Sequence, residues 1–266
     1  MITSSSNKSV REVIQLNQRA KARNKQDLFV AEGVKMFAEA PTERIHRVYI
    51  AQRAEAELRS AYREKLDRLF VEIVADDVFD KMSDTKTPQG VLCLIRQFHY
   101  GIEELLDVEK NKKHMLFIIL EDLQDPGNLG TVFRTGEGAG VNGIIMSSQT
   151  VDVYNPKTIR STMGSVYRVP FLYADDLHGM IRVLQQHDIC VYAAHLDGTK
   201  HYDEHNYRCG TAFLVGNEGN GLKQETAECA DELIRIPMEG KVESLNAAVA
   251  SSILLYEAYR QRRVFQ

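Results

Sequence analysis

The chain has 266 residues, of which 44% are hydrophobic and 26% charged, and its formal net charge is −4 at pH 7. This balance predicts a folded protein with a substantial core and excludes an intrinsically disordered chain. No apolar run reaches the roughly 18 residues of a membrane span, and the N-terminus lacks the apolar core of a secretory signal. We therefore expect no membrane and a cytoplasmic location. The scattered cysteines, without a C-x-x-C pair, predict neither a metal site nor a disulfide framework.

Helices and short apolar strands alternate over the first 98 residues. Helices are predicted at 8 to 23, in the second half of 29 to 40 and at 54 to 66, and strands at the start of 29 to 40, at 45 to 51, 69 to 74 and 91 to 98. This alternation predicts a small α/β sandwich domain at residues 1 to 98. The charged stretch at 99 to 114 is predicted to be a linker.

The first 26 residues are basic although the whole chain is acidic. Six lysines and arginines stand against one glutamate, Glu12, which gives a local charge of +5; they are Lys8, Arg11, Arg19, Lys21, Arg23 and Lys25. Such a segment fits either a patch that contacts RNA phosphates or the solvated face of a helix, and charge alone favours neither.

Residues 115 to 266 predict a second α/β domain. Apolar strands are predicted at 115 to 121 and 141 to 148 and in the segments VYRVPFL, ICVYAAHL, TAFLVG and ELIRIPM, with helices near 155 to 164, 176 to 187, 222 to 230 and 246 to 263. Continuous apolar strands separated by helices predict a mostly parallel sheet that is covered on both faces.

Three loops that follow strands carry an excess of glycine and polar side chains. In an open α/β sheet, ligands bind outside the carboxyl ends of the strands, so these loops are the candidate site. In the first, DPGNLGTVFRTGEGAG, Asp125 to Gly127 is predicted to form a turn and Asn128 to cap a helix that ends at Gly140. Asn128 precedes this helix and could approach the head of Arg134. The alternative makes Asn128 a simple cap and Arg134 a surface charge.

The other two loops are LVGNEGNGL at 214 to 222, which contains Gly216 and Glu218, and IPMEGKVESLNAAVASS at 236 to 252. Glycines let a backbone approach a flat ligand closely. In the last loop, Ser244, Leu245 and Asn246 place a hydroxyl and an amide together where a helix begins, although one capping side chain would be enough. The surplus polar groups therefore need another purpose.

These three segments, in this order and spacing, resemble the SpoU (TrmH) family of RNA ribose 2′-O-methyltransferases within the SPOUT class. The resemblance covers nearly the whole of residues 115 to 263, and the N-terminal part looks like the ribosomal-protein-like substrate-binding domain of many members. One departure is Ala248, where members more often have serine. The resemblance implies a C-terminal SPOUT α/β fold with a deep trefoil knot at 115 to 266, bound S-adenosylmethionine (SAM), and a homodimer with its active site near the subunit interface.

The resemblance also implies roles for particular residues. Arg134 matches the catalytic arginine, and a guanidinium, being a poor base, is expected to stabilise the forming alkoxide. The positions that would orient it and the ribose are Asn128, Glu218, Ser244 and Asn246, and those that would contact SAM are Ala194, Gly216, Ile236 and Leu245. Ribosomal RNA is the expected substrate. A tRNA enzyme and a catalytically silent RNA-binding protein of the same fold are the alternatives.

Overall fold

The computed structural model describes residues 1 to 107 and 115 to 263. The chain divides into two compact units. Unit 1 consists of residues 1 to 98 and 152 to 167, and unit 2 of residues 99 to 151 and 168 to 266. Seven residues of the predicted linker, 108 to 114, lie outside the described residues.

The order of helices and strands follows the alternation expected from the sequence. The helices are α1 (Lys8–Gln18), α2 (Ala20–Gln26), α3 (Val34–Glu39), α4 (Glu55–Ala61), α5 (Arg63–Leu66), α6 (Asp76–Met82), α7 (Ile102–Leu105), α8 (Pro126–Ala139), α9 (Pro156–Thr162), α10 (Leu177–Gln186), α11 (Gln224–Ala227) and α12 (Ala247–Arg263). The strands are β1 (Leu28–Glu32), β2 (Ile45–Ala51), β3 (Val71–Val74), β4 (Val91–Arg96), β5 (Leu116–Leu120), β6 (Gly143–Ser147), β7 (Phe171–Ala174), β8 (Ile189–Ala194), β9 (Lys200–His201), β10 (Gly210–Val215) and β11 (Glu232–Arg235).

Two predicted helices are interrupted. The helix predicted at residues 8 to 23 breaks at Arg19, whose backbone is extended (φ −131°, ψ 114°) and separates α1 from α2. The helix predicted at 54 to 66 breaks at Tyr62, whose φ of −130° is likewise outside the helical range. Hydrophobic spacing continues across both breaks, which is why the sequence predicts one helix in each case.

Unit 1 is built on a mixed sheet with the strand order β1-β4-β2-β3. β4 runs antiparallel to both β1 and β2, whereas β2 and β3 are parallel. Buried side chains of α1, Val10, Val13 and Leu16, recur along one helix face and pack into the same core cluster as Tyr49 and Leu92 of the sheet. The predicted small α/β sandwich is confirmed.

The two units differ from the predicted domains in two segments, residues 152 to 167 and residues 99 to 107. Residues 152 to 167 belong to unit 1, where Tyr154 stacks on Phe29 with ring centroids 4.8 Å apart. The Tyr154 hydroxyl donates to the backbone oxygen of Phe98 at 2.9 Å. Residues 99 to 107 belong to unit 2, because Leu105 and Leu106 are buried in its core. Helical periodicity in the sequence indicates α9 but cannot show which core it joins.

Arg23 is one of the six basic residues of the N-terminal segment, and the structure shows that it belongs neither to an RNA-contacting patch nor to a solvated helix face. Its side chain is 4% exposed and donates to Asp152 Oδ2 through Nε and Nη2, at 2.9 and 2.6 Å. It also donates to the backbone oxygen of Leu16 at 2.6 Å. Arg23 is therefore a buried structural cation that holds the segment after Val151 to α2, and it does not contribute to a phosphate-binding surface.

Unit 2 is built on a sheet with the strand order β7-β6-β5-β10-β8-β11-β9, in which every pair is parallel. β5 and β6 are buried at every residue, as their uninterrupted apolar composition predicts. The predicted α/β class is confirmed: the N-terminal unit is small and has a mixed sheet, and the C-terminal unit has an all-parallel sheet. The threading expected from the resemblance, a deep trefoil knot, stays a prediction.

Within the described ranges, 1 to 107 and 115 to 263, none of the helices has the length and hydropathy that a membrane span needs.

Candidate active site

The predicted site residues follow neighbouring strands of the parallel sheet. β5, β10, β8 and β11 are adjacent in that order, so their carboxyl ends share one edge. Asn128 follows β5, Gly216 and Glu218 follow β10, Ala194 ends β8, and Ile236 follows β11. The register places Ala194 opposite Ile234 of β11. The sheet therefore brings the three predicted loops to one edge, as expected.

Glu218 holds the loop after β5 through both of its carboxylate oxygens. Oε1 accepts from the backbone N–H of Asp125 and from the side-chain amide of Asn128, both at 2.9 Å. Oε2 accepts from the backbone N–H of Gln124 at 3.0 Å. Burial opposes ionisation of this carboxyl, but the hydrogen bonds outweigh burial and keep its pKa below the ordinary value.

Asn246 connects the third loop to the same group. Its side-chain oxygen accepts from the backbone N–H groups of Ala248 at 2.9 Å and Val249 at 3.3 Å, which makes it the N-cap of α12. Its side-chain nitrogen donates to the side-chain oxygen of Asn128 at 3.0 Å. One residue thus does both jobs: the oxygen caps the helix and the nitrogen joins the chain Asn246–Asn128–Glu218.

The first loop contains one wrong prediction. Asn128 is not the N-cap of α8; the cap is Asp125, whose carboxylate accepts from the backbone N–H of Asn128 at 2.8 Å. Pro126 is the first residue of the helix, and Gly140 ends it in the left-handed conformation (φ 75°) as predicted. An acidic residue before a proline is a recognised helix start, so this cap could have been found in the sequence. Because Asp125 caps the helix, the Asn128 side chain is available to the other loops.

Arg134 and Ser244 are not part of this hydrogen-bonded group. Arg134 is exposed on α8 and, among residues 1 to 107 and 115 to 263, has no hydrogen bond or ion pair. The expected approach of Asn128 to its head is therefore absent from the described contacts. Ser244 is exposed and likewise makes no hydrogen bond within the part of the chain that the structure describes.

The four predicted cofactor residues are uncharged and lie at or beside the same edge. Gly216 is buried, and Ala194, Ile236 and Leu245 are half-buried. Leu245 directly precedes Asn246. Two exposed apolar side chains, Leu196 (58%) and Val242 (62%), lie on the loops after β8 and β11. An apolar surface with nearby backbone groups suits an adenosine and the methylene groups of a methionine chain, so these residues fit SAM.

Gly216 has a packing requirement of its own. A Cβ atom at this position would lie 2.2 Å from the backbone carbon of Gly221 and 2.3 Å from the nitrogen of Leu222. The backbone at Gly221 and Leu222 therefore packs directly against Gly216, so the loop after β10 folds back onto its own first residue.

Replacing Gly216 with alanine is expected to destabilise the protein by about 1 to 3 kcal/mol, because the new methyl group overlaps backbone atoms that cannot move away alone. The free energy of unfolding in urea measures this. Gly240→Ala is the matched control, since nothing lies within 4 Å of a Cβ there. Equal stability of both variants would contradict the packing requirement.

A second group of contacts lies near Glu218 and has no signal in the sequence. A cleft of about 220 Å³ opens at the carboxyl ends of β5, β6 and β7, and Asp122, Ser147 and Lys223 are among its lining residues. Lys223 Nζ lies 2.7 Å from Asp122 Oδ2. Neither residue belongs to a recognisable spacing pattern, so only the fold reveals that they meet.

Comparison with known proteins identifies the family. The SpoU rRNA Methylase family matches residues 115 to 256, and the MRM3-like substrate binding domain matches residues 7 to 93. The chain belongs to the SpoU rRNA methylase family.

Individual relatives resemble most of the chain. The 23S rRNA (guanosine-2′-O-)-methyltransferase RlmB of Bordetella pertussis is 32% identical over 225 residues, which cover 83% of this chain and 91% of that protein. The 23S rRNA (guanosine(2553)-2′-O)-methyltransferase RlmP of Bacillus subtilis is 33% identical over 69% of this chain and 70% of its own. The AdoMet-bound rRNA methyltransferase of Sinorhizobium meliloti superposes with a TM-score of 0.85 at 31% identity, covering 100% of this chain and 98% of that one.

Proposed function

We propose that this protein transfers the methyl group of SAM to a ribose 2′-hydroxyl of ribosomal RNA. The observation that carries the proposal is the hydrogen-bonded chain Asn246–Asn128–Glu218, which joins three loops at one edge of the parallel sheet. Family membership and the rRNA methyltransferases among the relatives support the reaction and the substrate class. The proposed setting is the cytoplasm.

SAM supplies an electrophilic methyl group on a sulfonium. Ala194, Gly216, Ile236 and Leu245 are the residues proposed to hold it, largely through backbone groups and apolar contact. The chain's remaining task is to hold a weakly nucleophilic hydroxyl in line with that methyl group, and positioning of this kind supplies much of the rate in bimolecular transfers.

Arg134 is proposed to act on the ribose oxygen. A guanidinium does not release a proton at neutral pH, so Arg134 stabilises the negative charge that develops on the oxygen and orients the adjacent phosphate. The proton then passes to that phosphate or to water. An Arg134 side chain with no ion pair in the described residues has its full charge available for this task.

Asn128, Glu218 and Asn246 are proposed to shape the ribose site around Arg134. Their mutual hydrogen bonds fix the Asn128 amide, with its nitrogen toward Glu218 and its oxygen toward Asn246. Ser244 is exposed and lies two residues before Asn246, and it is proposed to contact RNA directly.

Incubation of the protein with radiolabelled SAM and total RNA from cells that lack its gene tests the proposal. Label is expected in large-subunit rRNA, and the modified position is expected to resist alkaline cleavage, as a 2′-O-methyl group requires. Label in tRNA alone would identify the tRNA enzyme instead. RNA binding without transfer to any cellular RNA would identify a catalytically silent binding protein.

Unit 1 is proposed to bind the RNA substrate. Its match to a substrate binding domain supports this role, and Lys8, Arg11, Arg19 and Lys21 on or beside α1 and α2 are exposed. Because phosphate contacts release counterions, affinity is expected to fall steeply with salt. Arg23, being buried, is excluded from this surface.

We propose that the protein is a homodimer through unit 2. α12 packs against α8, where the hydroxyl of Tyr256 lies 2.8 Å from the position that a Cβ of Gly138 would take. Val249 (47%), Tyr256 (47%) and Tyr259 (37%) are exposed on α12. Exposed large side chains usually occur singly on a protein surface. Several of them on one helix, packed beside the helix that carries Arg134, are typical of an interface.

Replacing both Val249 and Tyr256 with glutamate is expected to convert the dimer to a monomer, because the new charges would have to be desolvated between subunits. Sedimentation equilibrium measures the mass. Phe70→Glu serves as the control, since Phe70 is 60% exposed in unit 1. A double variant that remains dimeric would place the interface elsewhere.

A further inference from the structure

Asp122 has an unusual backbone conformation at the start of the loop that carries Asn128. Its φ is +54°, in the left-handed region that favours glycine and that few other residues adopt, aspartate being one of them. It directly follows Glu121, where β5 has ended. The conformation therefore sets the direction in which the loop leaves the sheet.

Two side chains hold the Asp122 carboxylate. Ser147, the last residue of β6, accepts from the backbone N–H of Asp122 at 2.8 Å and donates to its Oδ1 at 2.7 Å. Lys223 Nζ lies 2.7 Å from Oδ2. The side chain of Asp122 is only 20% exposed, whereas that of Lys223 is 55% exposed. Burial opposes ionisation of the carboxyl, but the bonds from Lys223 and Ser147 outweigh burial and keep its pKa below the ordinary value.

The backbone oxygen of Asp122 joins this loop to the one that carries Glu218. It accepts from the Asn217 side-chain amide at 2.7 Å and from the Gln124 side-chain amide at 2.9 Å. Asn217 and Lys223 bracket Glu218 in sequence, on either side of the turn after β10. Asp122 is thus fixed from both ends of the loop that presents Glu218.

We infer that Asp122 and Lys223 form a positioning pair that sets the loop of Asn128 against the loop of Glu218 for methyl transfer. The inference rests on the proposed function, which gives roles to Asn128 and Glu218 but none to Asp122 or Lys223. Lys223 acts through Asp122 and touches none of the three hydrogen-bonded site residues in the described contacts. A shift of the Asn128 amide by a fraction of an ångström would misplace the ribose, and such displacements lower turnover strongly.

The pair predicts a separation of turnover from stability. Lys223→Met keeps the apolar stem and removes the charge, and we expect kcat to fall about tenfold while KM for SAM changes less than about twofold. Lys223→Arg is expected to restore most of the activity, since it restores a cation toward Oδ2. Asp122→Gly is expected to lower kcat similarly with only a small change in Tm, because the relief of backbone strain offsets the lost bonds from Ser147 and Lys223.

The experiment measures kcat, both KM values and Tm for wild type, these three variants and Asp122→Gly/Lys223→Met. The double variant is expected to lose less activity than the product of the two single losses, because both substitutions remove the Lys223–Asp122 ion pair. Lys223→Met also removes the 3.9 Å ion pair of Nζ with Glu121, and Asp122→Gly also removes the hydrogen bond from Ser147. Lys81→Met is the control; Lys81 is 59% exposed and lies 3.8 Å from Asp77. Full kcat in Lys223→Met, or a loss that arginine does not restore, would overturn the pair. An inactive wild type would instead contradict the proposed function.

Discussion

Replacing Arg134 with alanine is expected to lower kcat for methyl transfer by about 10²- to 10³-fold, the range observed when a donor to a developing oxyanion is removed. The Kd for SAM is expected to change less than about twofold, because the proposed cofactor residues lie at the end of β8 and on the loops after β10 and β11, whereas Arg134 lies on α8. Single-turnover methyl transfer and calorimetric titration with SAM give the two quantities.

Arg134→Lys separates charge from geometry. Lysine keeps the positive charge but has a single donor head, so it is expected to recover only a small part of the activity if one guanidinium contacts both the ribose oxygen and the phosphate. Arg182→Ala is the control, since Arg182 is 61% exposed on α10. Activity of Arg134→Ala equal to wild type would remove Arg134 from the mechanism.

Replacing Glu218 with glutamine is expected to lower kcat by about 10- to 100-fold, because the loop of Asn128 loses its anchor. Glutamine has one acceptor oxygen, so its amide nitrogen would face either the backbone N–H of Gln124 or the donors of Asp125 and Asn128. The loss of stability is expected to be only about 1 kcal/mol, since solvent screens an exposed carboxylate. Glu228→Gln, on the surface after α11, is the control.

The same carboxylate predicts a pH dependence. Because its pKa is lower in the folded than in the unfolded protein, its stabilisation is fully present above the ordinary carboxyl pKa of about 4.3. It is lost as the pH falls through the lower folded value. The difference in Tm between wild type and Glu218→Gln is therefore expected to be constant from pH 7 to about pH 5 and to shrink below that. A difference that grows on acidification would contradict this assignment.

Strand positions and the loops after them could be predicted because buried parallel strands have continuous apolar composition. β2 occupies the predicted residues, and the segments carrying Asn128, Glu218 and Asn246 emerge at one sheet edge. The surplus of polar groups before α12 indicated a role beyond capping, and Asn246 indeed both caps the helix and donates to Asn128. Strand positions and helix caps can be predicted from the sequence because they depend on residues that are close together in it.

Features that depend on distant contacts could not be predicted. The ion pair of Asp122 with Lys223 joins residues 101 positions apart in sequence. The helix breaks at Arg19 and Tyr62 interrupt a continuous hydrophobic pattern. Arg23 belongs to a basic run in the sequence, yet its buried partner Asp152 lies far along the chain.

The segment from 152 to 167 has a consequence for any attempt to separate the two halves of the protein. The polypeptide passes between units three times, after residues 98, 151 and 167, so a single proteolytic cut cannot release an intact N-terminal fragment. A gene truncated after codon 98 would express a fragment that lacks α9 and leaves Phe29 without Tyr154 and Arg23 without its counter-ion. Domain-swap chimaeras with related enzymes would therefore have to transplant both pieces together.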